Sequence, residues 1–190
     1  MPRSPLQFKI MKEERQLQIL EAALPLFALY GIKGVSIDAI ATKAKCSHGL
    51  IYHYYKNSAE VYDTLLKSET YKTVYEKMHK NRKELNDFDA LNDIISTIWD
   101  FLQDGTEVYC FALLLINEEG NKSISTVLKN LIRRCQNQNL INGGDPEELT
   151  EAFLDTIRGI IYPRILDKKY NKPIPNCEIV NELFRKRVRV

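Results

Sequence analysis

Nowhere in its 190 residues does the sequence carry an apolar run approaching the length that spans a bilayer, which excludes a membrane helix from the expected architecture. The N-terminal stretch "MPRSPLQFKIMKEER" lacks the uninterrupted apolar core of a secretion signal, so a cytoplasmic location is expected, with no membrane partner. Cysteine is sparse and scattered: Cys46, Cys110, Cys135 and Cys177 form no C-x-x-C pair. They are expected to be reduced thiols, mostly buried as small hydrophobes. A Gly-rich phosphate loop and an H-E-x-x-H helix are both missing, and so is any run of alternating β-branched residues. No internal repeat or low-complexity segment stands out.

The length is enough for one or two domains with a real core, and the apolar and charged fractions are ordinary for a globular chain. A net charge of +2 is too weak to argue for a nucleic-acid partner. Its distribution says more. Residues 1–56 hold eight Lys/Arg against four Asp/Glu, while residues 57–190 hold nineteen against twenty-one. A basic first third ahead of a slightly acidic remainder suits a small nucleic-acid-binding module on a neutral body.

The periodicity is helical almost throughout. Leu17, Leu20, Leu24 and Phe27 recur at helical intervals before Gly31, a left-handed cap candidate, and Pro25 within that pattern predicts a kink. "VSIDAIATKA" places Ser36 as N-cap before the stripe Ile37, Ile40, Ala41 and Ala44. After "KCS", Ser47 is a second N-cap. Asn57 with Glu60 opens a third helix, read as continuing for many turns through "AEVYDTLLKSETYKTVYEKMHKNRKEL". Further helices are expected at about 88–103, 106–117, 123–138, 146–166 and 176–187. The breaks between them, "QDG", "EEGN", "NGGDP" and "YNKPIPN", are rich in turn formers. The expected fold class is all-α.

Two short serine-capped helices joined by about three residues form a helix-turn-helix candidate. Its second helix is "SHGLIYHYYK", residues 47–56. With Ile51 toward the core, Tyr54 and Tyr55 lie beside it and anchor the helix, Gly49 and His53 point away, and Leu50 and Tyr52 flank. An outward glycine costs so short a helix roughly 1 kcal/mol relative to alanine, which makes sense if another molecule must approach the backbone. Tyr52 and His53 offer outward donors, Lys56 is positioned for a phosphate, and the helix starts at Ser36 and Ser47 present free N–H groups suited to phosphates.

The stretch "ILEAALPLFALYGIKGVSIDAIATKAKCSHGLIYHYYKNSAEVYDTLL" resembles the N-terminal DNA-binding domain of the TetR family of transcriptional regulators. The resemblance rests on "AALPLFALYG", "SIDAIATKA", Ser47 and Gly49 with Tyr52, the pair Tyr54–Tyr55, and the N-capped helix that follows. It implies an all-helical chain with a three-helix DNA-binding domain over residues 1–56. Residues 57–190 would bind a ligand and dimerise, with the helix from about 57 as the link. It also implies that Ser36, Ser47, Tyr52, His53 and Lys56 contact phosphates, and that His48, Gly49 and Leu50, with His53, face base edges. Two departures stand out. Lys45 occupies the place of the family's turn glycine, so that either the turn is strained by on the order of 1–2 kcal/mol or it is reshaped. Leu50 replaces a small or polar base-reading residue and suits only a thymine methyl.

Cys46, His48 and His53 do not read as a metal site, because His48 and His53 are five apart rather than the three or four that brings ligands onto one helix face. The same residues lack the orienting partner and oxyanion hole of a thiol–imidazole catalyst. His79 on a charged helix reads as solvated, and the pairs Glu118–Glu119 and Glu147–Glu148 read as capping residues. The sequence therefore predicts no catalytic residues, metal or cofactor, and a protein that is not an enzyme.

The stripe Leu149, Phe153, Ile157, Ile160, Ile161 and Ile165 fits either a monomer core or a dimer face, and Pro163, four after Gly159, predicts a kink or an early helix end. In TetR-like proteins the last two long helices pair with their symmetry mates. By that resemblance Phe153, Ile157, Ile160 and Ile161, with Val180, Leu183 and Phe184 from 176–187, would form a homodimer interface. The same resemblance places a small-molecule effector among Trp99, Leu102, Tyr109, Phe111, Leu114 and Tyr162, residues that equally suit an ordinary core. The closing "RKRVR" reads as a solvated tail. The expected function is a homodimeric regulator, a repressor released from operator DNA by a small molecule of unspecified identity. The rival reading is a helical ligand-binding or interaction protein that no longer binds a specific operator.

Overall fold

The computed structural model describes residues 4–103, 105–116, 123–167, 169–170 and 172–178. Among these, every regular element is helical. α1 spans Pro5–Tyr30 and begins earlier than the leucine pattern suggests. Ser4 caps it by accepting the Gln7 N–H at 3.3 Å, the Gln7 side chain accepts the Ser4 N–H at 2.8 Å, and Pro5 sits where its missing N–H costs nothing. Pro25 lies inside this helix without ending it. Gly31 does end it, at φ 64° with its N–H on the Phe27 carbonyl, and a 3-10 turn over Ile32–Gly34 follows.

The chain divides into two compact units, Met1–Lys72 and Thr73–Val190. In the first, α2 (Ile37–Lys43), α3 (His48–Tyr54) and α4 (Ser58–Leu66) complete a small bundle with α1. Its core holds Ile19, Ala23, Phe27 and Ala28 of α1, Ile40 and Ala41 of α2, Ile51 of α3 and Val61 of α4, all fully buried. The Phe27 and Tyr62 rings meet edge-on at 5.0 Å, which ties α4 to α1.

The long helix expected from residue 57 onward is two helices. α4 stops at Leu66, and α5 spans Glu69–His79. Ser68 causes the division, because its hydroxyl accepts the Tyr71 N–H at 3.3 Å and so starts a new helix at a position where the apolar pattern runs on unbroken.

In the second unit, α6 (Asp87–Gln103) packs on α7 (Glu107–Ile116) and α8 (Ile124–Asn137), and α9 (Pro146–Leu166) packs on α7 and α8. α8 ends with Asn139 left-handed at φ 57°, while Asp145 caps α9 by accepting the Glu147 and Glu148 N–H groups. Of the kink or early end expected at Pro163, the early end does not occur, since α9 continues to Leu166. The proposed helix at 176–187, with Val180, Leu183 and Phe184, lies for the most part outside the described residues, as does the tail at 185–189. Among the described residues no helix is long and apolar enough to cross a membrane.

Candidate nucleic-acid interface

Ser36 opens α2 by accepting the Ala39 N–H at 3.1 Å, and Ser47 opens α3 by accepting the Leu50 N–H at 3.2 Å. Both take the extended backbone conformation that lets a short side chain reach over the first turn. Beyond α3, Asn57 accepts the Glu60 N–H at 2.9 Å while the Glu60 carboxylate accepts the Lys56 N–H at 2.7 Å. This reciprocal pair holds the Lys56 backbone and leaves its side chain exposed.

The turn between α2 and α3 resolves the question raised by Lys45. Lys45 is left-handed at φ 53°. Its N–H bonds the Thr42 carbonyl at 3.2 Å, and the Cys46 N–H bonds the Ala41 carbonyl at 3.0 Å. These two bonds are the closure that ordinarily selects glycine. The turn is kept and strained rather than reshaped, at a cost of about 1 kcal/mol. Cys46, expected to be buried, is half-buried.

α3 buries Ile51 completely and turns its other faces outward. His48, Gly49, Tyr52 and His53 are exposed and Leu50 is half-buried, while Ser36 and Ser47 lie exposed at the two helix starts. A methyl group at Gly49 would meet no protein atom within 4 Å. The two anchoring tyrosines separate. Tyr55 is buried, but Tyr54 is only half-buried, edge-on to His53 at 5.3 Å. Tyr55 points inward as expected, although it lies past the end of α3 in extended backbone (φ −141°, ψ 133°); the departure is at Tyr54, the last residue of the helix. The Tyr55 hydroxyl is buried with no hydrogen-bond partner, and desolvation followed by the nearby Glu60 charge pushes its pKa up.

Two features were not anticipated. The first is a groove of about 460 Å³ between the start of α1 and α3, lined by Phe8, Met11, Lys12 and Arg15 opposite Leu50, His53 and Tyr54. It brings Lys12 and Arg15, with Glu14 between them in sequence, beside the outward face of α3, and its trace in the sequence was the capping signal "SPLQ". The second joins the two helices of the motif. His48 Nδ1 lies 2.9 Å from Asp38 Oδ1 across the turn, with both side chains more than half exposed. No regular spacing announces a pair ten residues apart on different helices.

In the second unit, Trp99, Leu102, Phe111 and Leu114 are buried, while Tyr109 and Tyr162 are half-buried. The Trp99 indole N–H donates to the Pro175 carbonyl at 2.7 Å, and burial raises the Tyr109 pKa. On α9, Phe153, Ile157 and Ile161 are buried within the subunit itself, so they offer no side-chain surface to a partner; Ile160 is half-exposed. The cavity of about 410 Å³ between α6, α8 and the preceding loop is lined by other residues, among them Lys80, Arg82, Leu85, Ile94, Leu131 and Arg134. Among the described residues no three His, Cys, Asp or Glu side chains gather as metal ligands would.

Residues 19–65 match the family model described as bacterial regulatory proteins, tetR family. Over 165 residues the chain is 27% identical to the HTH-type transcriptional regulator YhgD of Bacillus subtilis, covering 80% of this chain and 85% of that one. It is 40% identical over 57 residues to the HTH-type transcriptional repressor SCO4008 of Streptomyces coelicolor, 30% of each chain. Among solved structures, apo AibR superposes with a TM-score of 0.58 at 17% identity, covering 89% of this chain and 95% of that one. AibR in complex with isovaleryl coenzyme A and operator DNA does so at 0.54, with the same identity and coverage. These structural likenesses bear on the fold.

Proposed function

We propose that this chain, which belongs to the TetR family of bacterial transcriptional regulators, is a homodimeric repressor that a small-molecule effector releases from its operator. The observation that carries the reading is the outward face of α3, which commits one side chain fully to the core and leaves His48, Gly49, Tyr52 and His53 exposed. In this reading Tyr52, His53 and Lys56, with the helix starts at Ser36 and Ser47, grip phosphates, while His48, Gly49 and Leu50 face base edges in the major groove. The strained but intact turn at Lys45 supports operator binding over the rival in which it is lost.

DNA binding falls to the first third of the chain, and effector binding and dimerisation to the remainder. Dimerisation follows from operator geometry. Two recognition helices must enter grooves one helical turn or a multiple apart, and one short helix alone gives little affinity. A relative named as a repressor, and a like fold solved with both an acyl-CoA and operator DNA, support an effector-released repressor. The effector would lie among the apolar side chains of α6, α7 and α9, with Tyr109 and Tyr162 at its margin. It would act by favouring, by a few kcal/mol, a dimer whose recognition helices no longer match successive grooves.

The test is binding of the purified protein to DNA selected from a random pool and to DNA from upstream of its own gene, at two salt concentrations. The wild type is expected to bind one two-fold-related sequence with steep salt dependence. Tyr52→Ala with Lys56→Ala should weaken binding by roughly tenfold or more and flatten the salt slope. Salt-dependent binding without any sequence preference would sink the proposal.

A further inference from the structure

The start of α1 passes beside α3 and leaves an open groove between the two helices. Resting on the operator-binding reading, we infer that this groove receives one DNA backbone, and that Lys12 and Arg15 are phosphate ligands supplied by α1. Both residues precede the stretch 19–65 that matches the family model, so the contact extends the DNA surface beyond that domain.

With α3 in the major groove, the sizes of the two objects decide what lies beside it. The major groove of B-DNA is about 12 Å wide, and a helix with its side chains is about 10–12 Å across. The helix therefore fills the groove, and a phosphate strand runs along each of its flanks. Leu50, His53 and Tyr54 form one flank of α3, and they are also one wall of the space of about 460 Å³ between the helices. The opposite wall is α1, where Phe8, Met11, Lys12 and Arg15 follow at steps of three and four residues and so share a face. A strand that passes His53 on this flank also passes Lys12 and Arg15.

The chemistry of the space suits such a strand. Lys12 and Arg15 outweigh Glu14, which lines the same space, by two charges to one. None of the three enters an ion pair among the described residues; the pair in this stretch joins Lys9 to Glu13 at 3.9 Å. Arg15 is half-buried, yet its guanidinium donors are unspent among the described residues. Phe8 and Met11 are exposed and add apolar surface. A backbone uses both kinds of surface, through its phosphates and its sugar carbons, whereas a small inorganic anion uses only the charge.

The test is equilibrium binding of the full chain to its selected site and to an unrelated duplex across a series of salt concentrations. Lys12→Gln and Arg15→Gln should each lower the slope of log affinity against log salt by about one per half-site. Each should weaken binding by roughly threefold or more, and by the same factor on both duplexes, because phosphates carry no sequence. Glu14→Gln should tighten binding on both. Lys9→Gln makes the same change of charge on the same helix outside the space, and should have the smaller effect. Arg15→Lys keeps the charge and should restore most of the slope, which separates a phosphate contact from a merely structural role. Equal effects of Lys9→Gln and Lys12→Gln overturn the inference, since general charge would then explain both. An altered base preference in Arg15→Gln overturns it by making Arg15 a base reader. Variants that change the oligomeric state and leave the slope unchanged also overturn it, because a second copy of the chain would then fill the space. In all three cases the regulator reading stands if the wild type selects a sequence. If the wild type selects none, the regulator reading falls, and the role of Lys12 and Arg15 at the operator falls with it.

Discussion

α3 and α7 differ in what they leave outside. α3 is seven residues long and buries one of them, Ile51. α7 has ten residues and buries seven: Val108, Cys110, Phe111, Ala112, Leu113, Leu114 and Leu115. A helix that buries almost nothing of itself survives only because side-chain caps and neighbouring helices hold it, since seven residues are far too few to form a helix alone. A helix buried nearly all round has little surface left to offer a macromolecule. The first suits recognition of a large exterior object, and the second suits a core or the wall of an internal site.

Three substitutions break or sharpen that contrast. The largest effect belongs to α7. Phe111 is fully buried with its ring 5.5 Å from that of Phe101, so Phe111→Ala should cost about 3–5 kcal/mol of stability. Denaturation followed by the fluorescence of Trp99, the single tryptophan, reads this in the second unit; a loss under 1 kcal/mol would mean that α7 borders open space. The middle effect belongs to Gly49. Because a methyl group there meets nothing in the protein, Gly49→Ala should leave the melting temperature unchanged or raise it, by up to about 1 kcal/mol of stability. It should nonetheless weaken operator binding by roughly tenfold, the cost of a close backbone approach being lost. Equal affinity would show that no DNA comes near the α3 backbone. The smallest effect is at the turn. Lys45→Gly should relieve the left-handed strain and stabilise the first unit by about 1 kcal/mol, read as a rise in the denaturation midpoint. An accompanying loss of operator affinity would mean that the lysine charge, beyond its backbone position, serves the DNA.

The helix-turn-helix was legible because its controls are local. Ser36, Ser47 and Asn57 each bond a backbone N–H three residues ahead, a distance the sequence shows directly. The outward set on α3 followed from the wheel, while Tyr54, the last residue of the helix, is less buried than the wheel placed it. On α9 the apolar stripe was equally visible, yet it did not say what would cover it. Phe153, Ile157 and Ile161 could be read toward a partner subunit, while the structure buries them within their own. Periodicity shows that a face is apolar, and only packing shows against which neighbour.

The sequence by itself determined the all-helical class, the positions of most helix starts and the candidate recognition surface, because caps, turn formers and the helical repeat act over four residues or fewer. The tertiary structure alone decided the rest. It set the left-handed Lys45, the groove beside α1, the inward face of α9 and the Asp38–His48 contact. Each of these depends on which segments distant along the chain, or which of two locally allowed conformations, the packed core brings together. That choice is made by the summed burial of the whole unit and is carried by no single stretch of sequence.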